Sequence, residues 1–303
     1  MSQSGTLSRA QALTGPMRLP FLLLTPACVL LGVGAAAYDA GAPSLLQALL
    51  ALVGALAAHI AVNALNEYSD FRSGLDLRTR PTPFSGGSGT LPRSPGHAPQ
   101  ALATGLVSLA ITGLVGLYFV LLRGSALLPL GLTGMLTIAV YTLWLTRSPV
   151  LCLVAPGLGF GTFMVMGTAF ALTGTYTSTA LVASLVPFFL VSDLLLLNQF
   201  PDVDADRAIG RNHFPIRIGR RKSSWIYTAF LALTYLTLIL GVLAGILPPL
   251  SLLGLLTLPL AVRTARGAMQ FADQVDRLIP FMGQNVILDL VTPVLVAIGL
   301  FLS

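Results

Sequence analysis

Acidic residues are scarce in this chain, and most of them fall in two short stretches. Of 11 Asp and Glu among 303 residues, six stand in Asn66-Glu67-Tyr68-Ser69-Asp70 running on to Asp76, and in Asn198 followed by Asp202-Val203-Asp204-Ala205-Asp206. Asn66 and Asp70 are four apart and share a helix face, and His59 and Asn63 carry that stripe back along the same helix. Asn198, Asp202 and Asp206 repeat the spacing of four, which predicts an amide and two carboxylates pointing one way. Asp76 follows Gly74, a residue that lets the chain fold back toward Asp70. Carboxylates gathered at one place hold divalent cations or relay protons. Two oxygen-rich walls suit Mg²⁺, which binds through one or two carboxylates plus substrate phosphates. Such ions turn carboxylate–phosphate repulsion into a bridge and make diphosphate a leaving group. Arg72, Arg78, Arg80, Arg207 and Arg211 are expected on the phosphate oxygens. A plainer reading makes the acids loop residues paired with adjacent arginines. Matched spacing in two clusters argues against it.

Long apolar segments must position these groups. Hydrophobic residues make up 55% of the chain, charged residues 9%, and mean hydropathy is +0.84. Soluble domains carry about 25% charged residues, so the composition describes a polytopic membrane protein, a single domain over residues 1–303. Segments of roughly 20 apolar residues span a bilayer, and about nine are expected by that rule: Met17–Tyr38, Ser44–Leu65, Pro99–Leu122, Ala126–Leu145, Val150–Thr173, Thr179–Leu197, Ser224–Leu247, Pro249–Val262 and Gln284–Leu302. This partition places sixteen of the 17 Lys and Arg on one side and leaves Arg123 alone on the other. Cytoplasmic loops collect Lys and Arg. The amino terminus and both acidic stretches are therefore expected in the cytoplasm, and the carboxyl terminus outside. The same bias accounts for the net charge of +6 without a nucleic-acid partner.

At these motifs the chain resembles the UbiA superfamily of intramembrane prenyltransferases. Asn66 to Asp76 is similar to the first aspartate-rich signature of that family, and its Gly-x-Asp ending resembles the branch that prenylates 1,4-dihydroxy-2-naphthoate in menaquinone synthesis. Phe84-Ser85-Gly86-Gly87-Ser88-Gly89 resembles the same branch, and Asn198 to Asp206 resembles the second signature. Three departures stand out. Glu67 occupies a slot where Asp is common, Gln199-Phe200-Pro201 lacks an expected Arg, and Asp289 stands where that branch has a neutral residue.

The resemblance implies an all-α bundle around a central cavity, with Mg²⁺ as cofactor. It implies transfer of a prenyl group from a polyprenyl diphosphate to a lipophilic aromatic acceptor in a cell (inner) membrane, among membrane lipid. Asn66, Asp70, Asp76, Asn198, Asp202 and Asp206 would bind metal and diphosphate, with Asp70, Asp202, Asp206 and the ring of Tyr141 serving catalysis. His59, Asn63, Asn285 and Asp289 are candidates for the acceptor. Hydroxybenzoate, heme and glycerol-ether acceptors remain open, as does an ion-coupled secondary transporter. Transport sites lie near the bilayer midplane in broken helices, whereas these acids cluster at span ends. Asp193, nine residues before Asp202, is expected to face away from the metal.

Overall fold

A computed structural model describes residues 11, 14–79 and 82–303, and every regular element in it is helical. The chain runs through α1 (Leu24–Ala40), α2 (Leu45–Ser73), α3 (Ala98–Arg123), α4 (Leu128–Val140) and α5 (Pro149–Thr173). It continues through α6 (Ser178–Asn198), the short α7 (Val203–Ala208), α8 (Arg220–Leu243), α9 (Leu258–Gln270) and α10 (Val275–Phe301).

Seven helices are long and apolar enough, by length and composition, to cross a membrane: Gly15–Ala40, which contains α1, together with α2, Pro95–Arg123 around α3, α5, α6, α8 and α10. The other two segments expected to span take shorter forms. Ser125–Val140 is an apolar helix below that length. Pro249–Val262 divides into a 3-10 helix, Pro249–Thr257, and the start of α9, which carries Arg263 and Arg266.

Local sequence sets the helix ends. Ser44 caps α2 by accepting from the Gln47 amide, and Thr177 caps α6 by accepting from Ala180. Such caps satisfy amides that a helix start leaves without partners. Gly74, at φ +76°, closes α2 by returning its amide to the Asp70 and Phe71 carbonyls. The second acidic stretch departs from the single helix face expected for it. The α6 helix stops at Asn198, residues 199–202 form a turn, and α7 begins at Val203. Pro201 explains the break, since its ring lacks an N–H and clashes with the preceding turn of a helix.

Helix α5 opens into a π-helical stretch over Leu158–Met166, just after Pro156. Small residues let it approach α6: a Cβ on Gly161 would stand 2.6 Å from the Phe188 amide nitrogen and the Ser184 carbonyl. Gly159 differs from this packing role, because a Cβ there would meet nothing within 4 Å. The main core lies among α1, α6, α8 and α10 and contains Leu31, Leu190, Tyr227, Leu238, Met282 and Leu288. By contrast α4 has no buried residue. One side of the bundle is therefore dense and the other is hollow.

Candidate active site

The hollow is a cavity of about 740 Å³. Helix α2 lines it with Ala51, Gly54, Ala55, Ala58, His59, Val62, Asn63, Asn66 and Asp70. Steps of three and four put these residues on one face, so the stripe read from the sequence is the cavity wall. From Ala51 to Asp70 the wall is about 28 Å long at 1.5 Å per residue, close to the hydrocarbon thickness of a bilayer. Small side chains along its upper half leave room for an apolar chain. Phe119, Leu127, Phe160, Phe163 and Met164 complete that end.

The other end is polar. Asn66, Asp70, Asp76, Asn198, Asp202 and Asp206 all line it, together with Tyr141. Helices α2 and α6 both present their carboxyl-terminal ends here. Carboxylates at a helix C-terminus add to the negative pole of the helix dipole. The site therefore needs cations to be stable. One is supplied by the chain: Arg211 donates to Asp70 Oδ1 through Nη2 and to Asp206 Oδ1 through Nη1, the latter at 2.9 Å. His213 Nε2 bonds the second Asp206 oxygen at 2.9 Å. Gly210, at φ +81°, and the Asn212 amide bond to the Thr146 carbonyl turn this segment back over the cavity.

Burial shapes the charge of the acids in the connecting loops. It pushes the Asp76 carboxyl up to about 7, with the charges of Glu67 and Asp70 adding to the rise. Burial likewise carries Asp202 up to about 7, helped by Asp206. For Arg211 burial opposes the charge, but Asp70 and Asp206 more than offset it and hold the guanidinium above its usual range.

The residues fit a hard divalent ion. Asp76 Oδ2, Asn198 Oδ1 and Asp202 Oδ1 are buried oxygens without a hydrogen-bond partner, and carboxylate and amide oxygens are what Mg²⁺ accepts. Among the described residues no three His, Cys, Asp or Glu side chains stand close enough to enclose an ion. Arg211 occupies the space between Asp70 and Asp206.

The arginines sort differently from the expectation. Arg72, Arg78 and Arg207 are exposed and do not line the cavity, and Arg207 lies 3.7 Å from Asp204 in a surface pair. Arg80 lies outside the described residues. Arg72 is two positions past Asp70 on one helix and so projects from another face. Arg18, at the start of the first expected span, does line the cavity. It pairs with buried Glu67 at 3.1 Å, and Glu67 also accepts from the Ser88 amide and hydroxyl. The Glu67 slot is thus a brace between the start of the chain and the 82–89 loop. His213 was missed as well; its position seven residues after Asp206, in the same polar loop, was the available signal. Gly87 needs its freedom here: it sits at φ +72°, and a Cβ would stand 2.8 Å from Asp76 Oδ1.

Tyr141 is within electrostatic reach of Arg211, Asp70 and Asp206. Asn66 Nδ2 donates to Thr142 Oγ1 at 3.0 Å, and Asn63 Nδ2 to the Met17 carbonyl at 3.0 Å. Asp289 lines the cavity, Asn285 is buried behind it, and Asp193 is buried away from it.

Comparisons with known proteins bear on the family and the fold. A model of the UbiA prenyltransferase family matches residues 25–283. The 1,4-dihydroxy-2-naphthoate octaprenyltransferase of Mycobacterium tuberculosis is 30% identical over 271 residues, covering 85% of this chain and 86% of that protein. The Escherichia coli enzyme of the same name is 28% identical over 309 residues, covering 98% and 97%. Among solved structures, a UbiA homolog from Archaeoglobus fulgidus bound to DMAPP and Mg²⁺ shares the fold, with a TM-score of 0.61 at 13% identity over 95% of this chain and 98% of that one.

Proposed function

The chain belongs to the UbiA prenyltransferase family, and from that premise we propose that it transfers a polyprenyl group from an allylic diphosphate to 1,4-dihydroxy-2-naphthoate in menaquinone biosynthesis. It is a transferase and an integral membrane protein. The reading places the acidic end at the cytoplasmic face of the cell membrane, the amino terminus on the same side and the carboxyl terminus outside. The observation that carries it is the meeting of both acidic stretches at one end of a membrane-length apolar cavity. The acceptor is drawn from the relatives that bear its name.

Asp70, Asp76, Asn198, Asp202 and Asp206, with Asn66, would hold Mg²⁺. When bound, the ion neutralises diphosphate charge and makes pyrophosphate a better leaving group. Among the described residues Arg211 and Arg18 are the arginines that line the cavity, and they bind phosphate oxygens. The prenyl tail lies along the small-residue face of α2. Tyr141 offers its ring face to positive charge developing at the allylic carbon. The acceptor ring attacks that carbon as its bond to diphosphate oxygen breaks, then loses carbon dioxide or a proton to recover aromaticity. Apolar walls keep water from capturing the carbon first.

Membranes containing the protein are incubated with Mg²⁺, labelled geranylgeranyl diphosphate and the naphthoate, in parallel with Asp70→Ala and Asp202→Ala. Labelled prenyl-naphthalenediol is expected from the first sample alone. Product that persists in both variants removes the proposed site, and product only with another acceptor removes the acceptor assignment.

A further inference from the structure

Deeper than the acidic end, the cavity wall carries two strongly polar side chains, His59 on α2 and Asp289 on α10. Both are buried. A carboxyl group at membrane depth is costly to keep and marks a functional position by default.

Each group is anchored at one atom and, among the described residues, shows no hydrogen bond at the other. Tyr227 Oη donates to Asn285 Oδ1 at 2.6 Å, and Asn285 Nδ2 donates to Asp289 Oδ2 at 3.2 Å. Asp289 Oδ1 is buried and has no partner. On α2, His59 Nδ1 and Thr25 Oγ1 share a hydrogen bond of 2.8 Å, while Phe160 meets the imidazole edge-on with ring centroids 4.6 Å apart. Nε2 is the ring nitrogen left over.

Both neighbour one face of α1, since Thr25 and Cys28 are three residues apart. His59 is bonded to Thr25 of that helix, and Asp289 is within electrostatic range of Cys28. Thr25 and Cys28 are about 4.5 Å apart along the axis. Asp289 is also within electrostatic range of Asp193 on α6, which lies five residues, about 7.5 Å, from Asn198 at the acidic end. On the unbroken α2 helix His59 stands seven residues, about 10.5 Å, from Asn66 and eleven residues, about 16.5 Å, from Asp70, so it lies two to three helical turns from the diphosphate end.

We propose that His59 Nε2 and Asp289 Oδ1 form a two-point clamp that holds the two ring hydroxyls of a dihydroxylated aromatic acceptor. It rests on the prenyltransferase reading above and names the groups that position its acceptor. Asp289 has no cation partner among the described residues, so a phenolic O–H is the donor that its free oxygen can take. His59 meets the second hydroxyl as donor or acceptor according to its tautomer. Asn285 and Tyr227 are positioning residues, since they reach the substrate only through Asp289.

The test compares kcat/KM for 1,4-dihydroxy-2-naphthoate and its two monomethyl ethers, with geranyl diphosphate as donor. The wild-type protein is expected to lose about tenfold with either ether, the effect of one buried hydrogen bond. Asp289→Asn is expected to shrink that penalty to about twofold for one ether, and His59→Gln for the other, with KM for geranyl diphosphate unchanged within about twofold. A purely structural role would slow all three acceptors by one common factor, and that result overturns the clamp. If Asp289→Asn is not recovered folded, the wild-type comparison decides: a tenfold loss with both ethers supports the clamp, and less than twofold overturns it. A wild-type protein that prenylates none of the three acceptors overturns the clamp together with the reading on which it rests.

Discussion

Arg211 joins the two acidic stretches by donating to Asp70, a residue 141 positions away in the chain, while its other terminal nitrogen holds Asp206. An internal guanidinium thus stands between two of the carboxylates that, under the proposed function, would hold a divalent ion. Under the proposed function a metal would compete with Arg211 for these carboxylates, and the guanidinium would serve the diphosphate instead.

This relationship makes opposite predictions for two ligands. In Arg211→Gln, Mn²⁺ measured by electron paramagnetic resonance without diphosphate is expected to bind severalfold tighter. The KM for prenyl diphosphate in the same variant is expected to rise about tenfold, the scale of one charge-assisted hydrogen bond. A parallel loss in both would mean that Arg211 supports the metal rather than competing with it.

The pH dependence follows from Asp76 and Asp202, both carried up to about 7 by burial. A divalent ion needs the ionised forms, so Mn²⁺ affinity is expected to climb between pH 6 and 8 and to level off above. Stability without metal runs the other way. These carboxyls bind protons more tightly folded than unfolded, so their contribution is full below about pH 4 and is lost as pH rises through about 7. Melting temperature in detergent should fall from pH 5 to pH 8, and Mg²⁺ should restore most of the loss.

Glu67 is a brace, and removing it strands a partly buried arginine. Loss of one partner of a buried ion pair costs about 3–5 kcal/mol, with less expected here because Arg18 keeps 23% of its side chain exposed. Glu67→Gln is expected to lower the melting temperature and to speed proteolysis between residues 82 and 89, where Ser88 loses its anchor. An unchanged cleavage rate would contradict the bracing role.

Two glycines of α5 separate packing from substrate space. Gly161→Ala forces a methyl group against the α6 backbone and is expected to destabilise by about 1–3 kcal/mol. Gly159→Ala places the same group in open space beside the cavity and is expected to leave the melting temperature unchanged. Gly159→Phe should instead narrow the cavity, seen as a higher KM for long prenyl diphosphates than for geranyl diphosphate.

Local spacing was a sound guide where the helix continued. His59, Asn63, Asn66 and Asp70 face one cavity because a single unbroken helix carries them. It misled at Asn198 to Asp206, where Pro201 ends the helix, yet all three residues still reach the site because the turn that follows brings α7 back to it. The arginines were not legible in this way. Five loop arginines carry the same charge in the sequence, and only the path of the chain after Gly210 distinguishes Arg211 from Arg207.

Composition and periodicity alone determined that this is a helical membrane protein with two metal-suited polar clusters, because bilayer thickness and helical repeat act on neighbouring residues. Tertiary structure alone decided which cations face those clusters, that Glu67 braces a loop, and that His213 joins Asp206. Those outcomes depend on contacts between residues distant in the chain, where loop direction and helix packing, not spacing, determine which side chains meet.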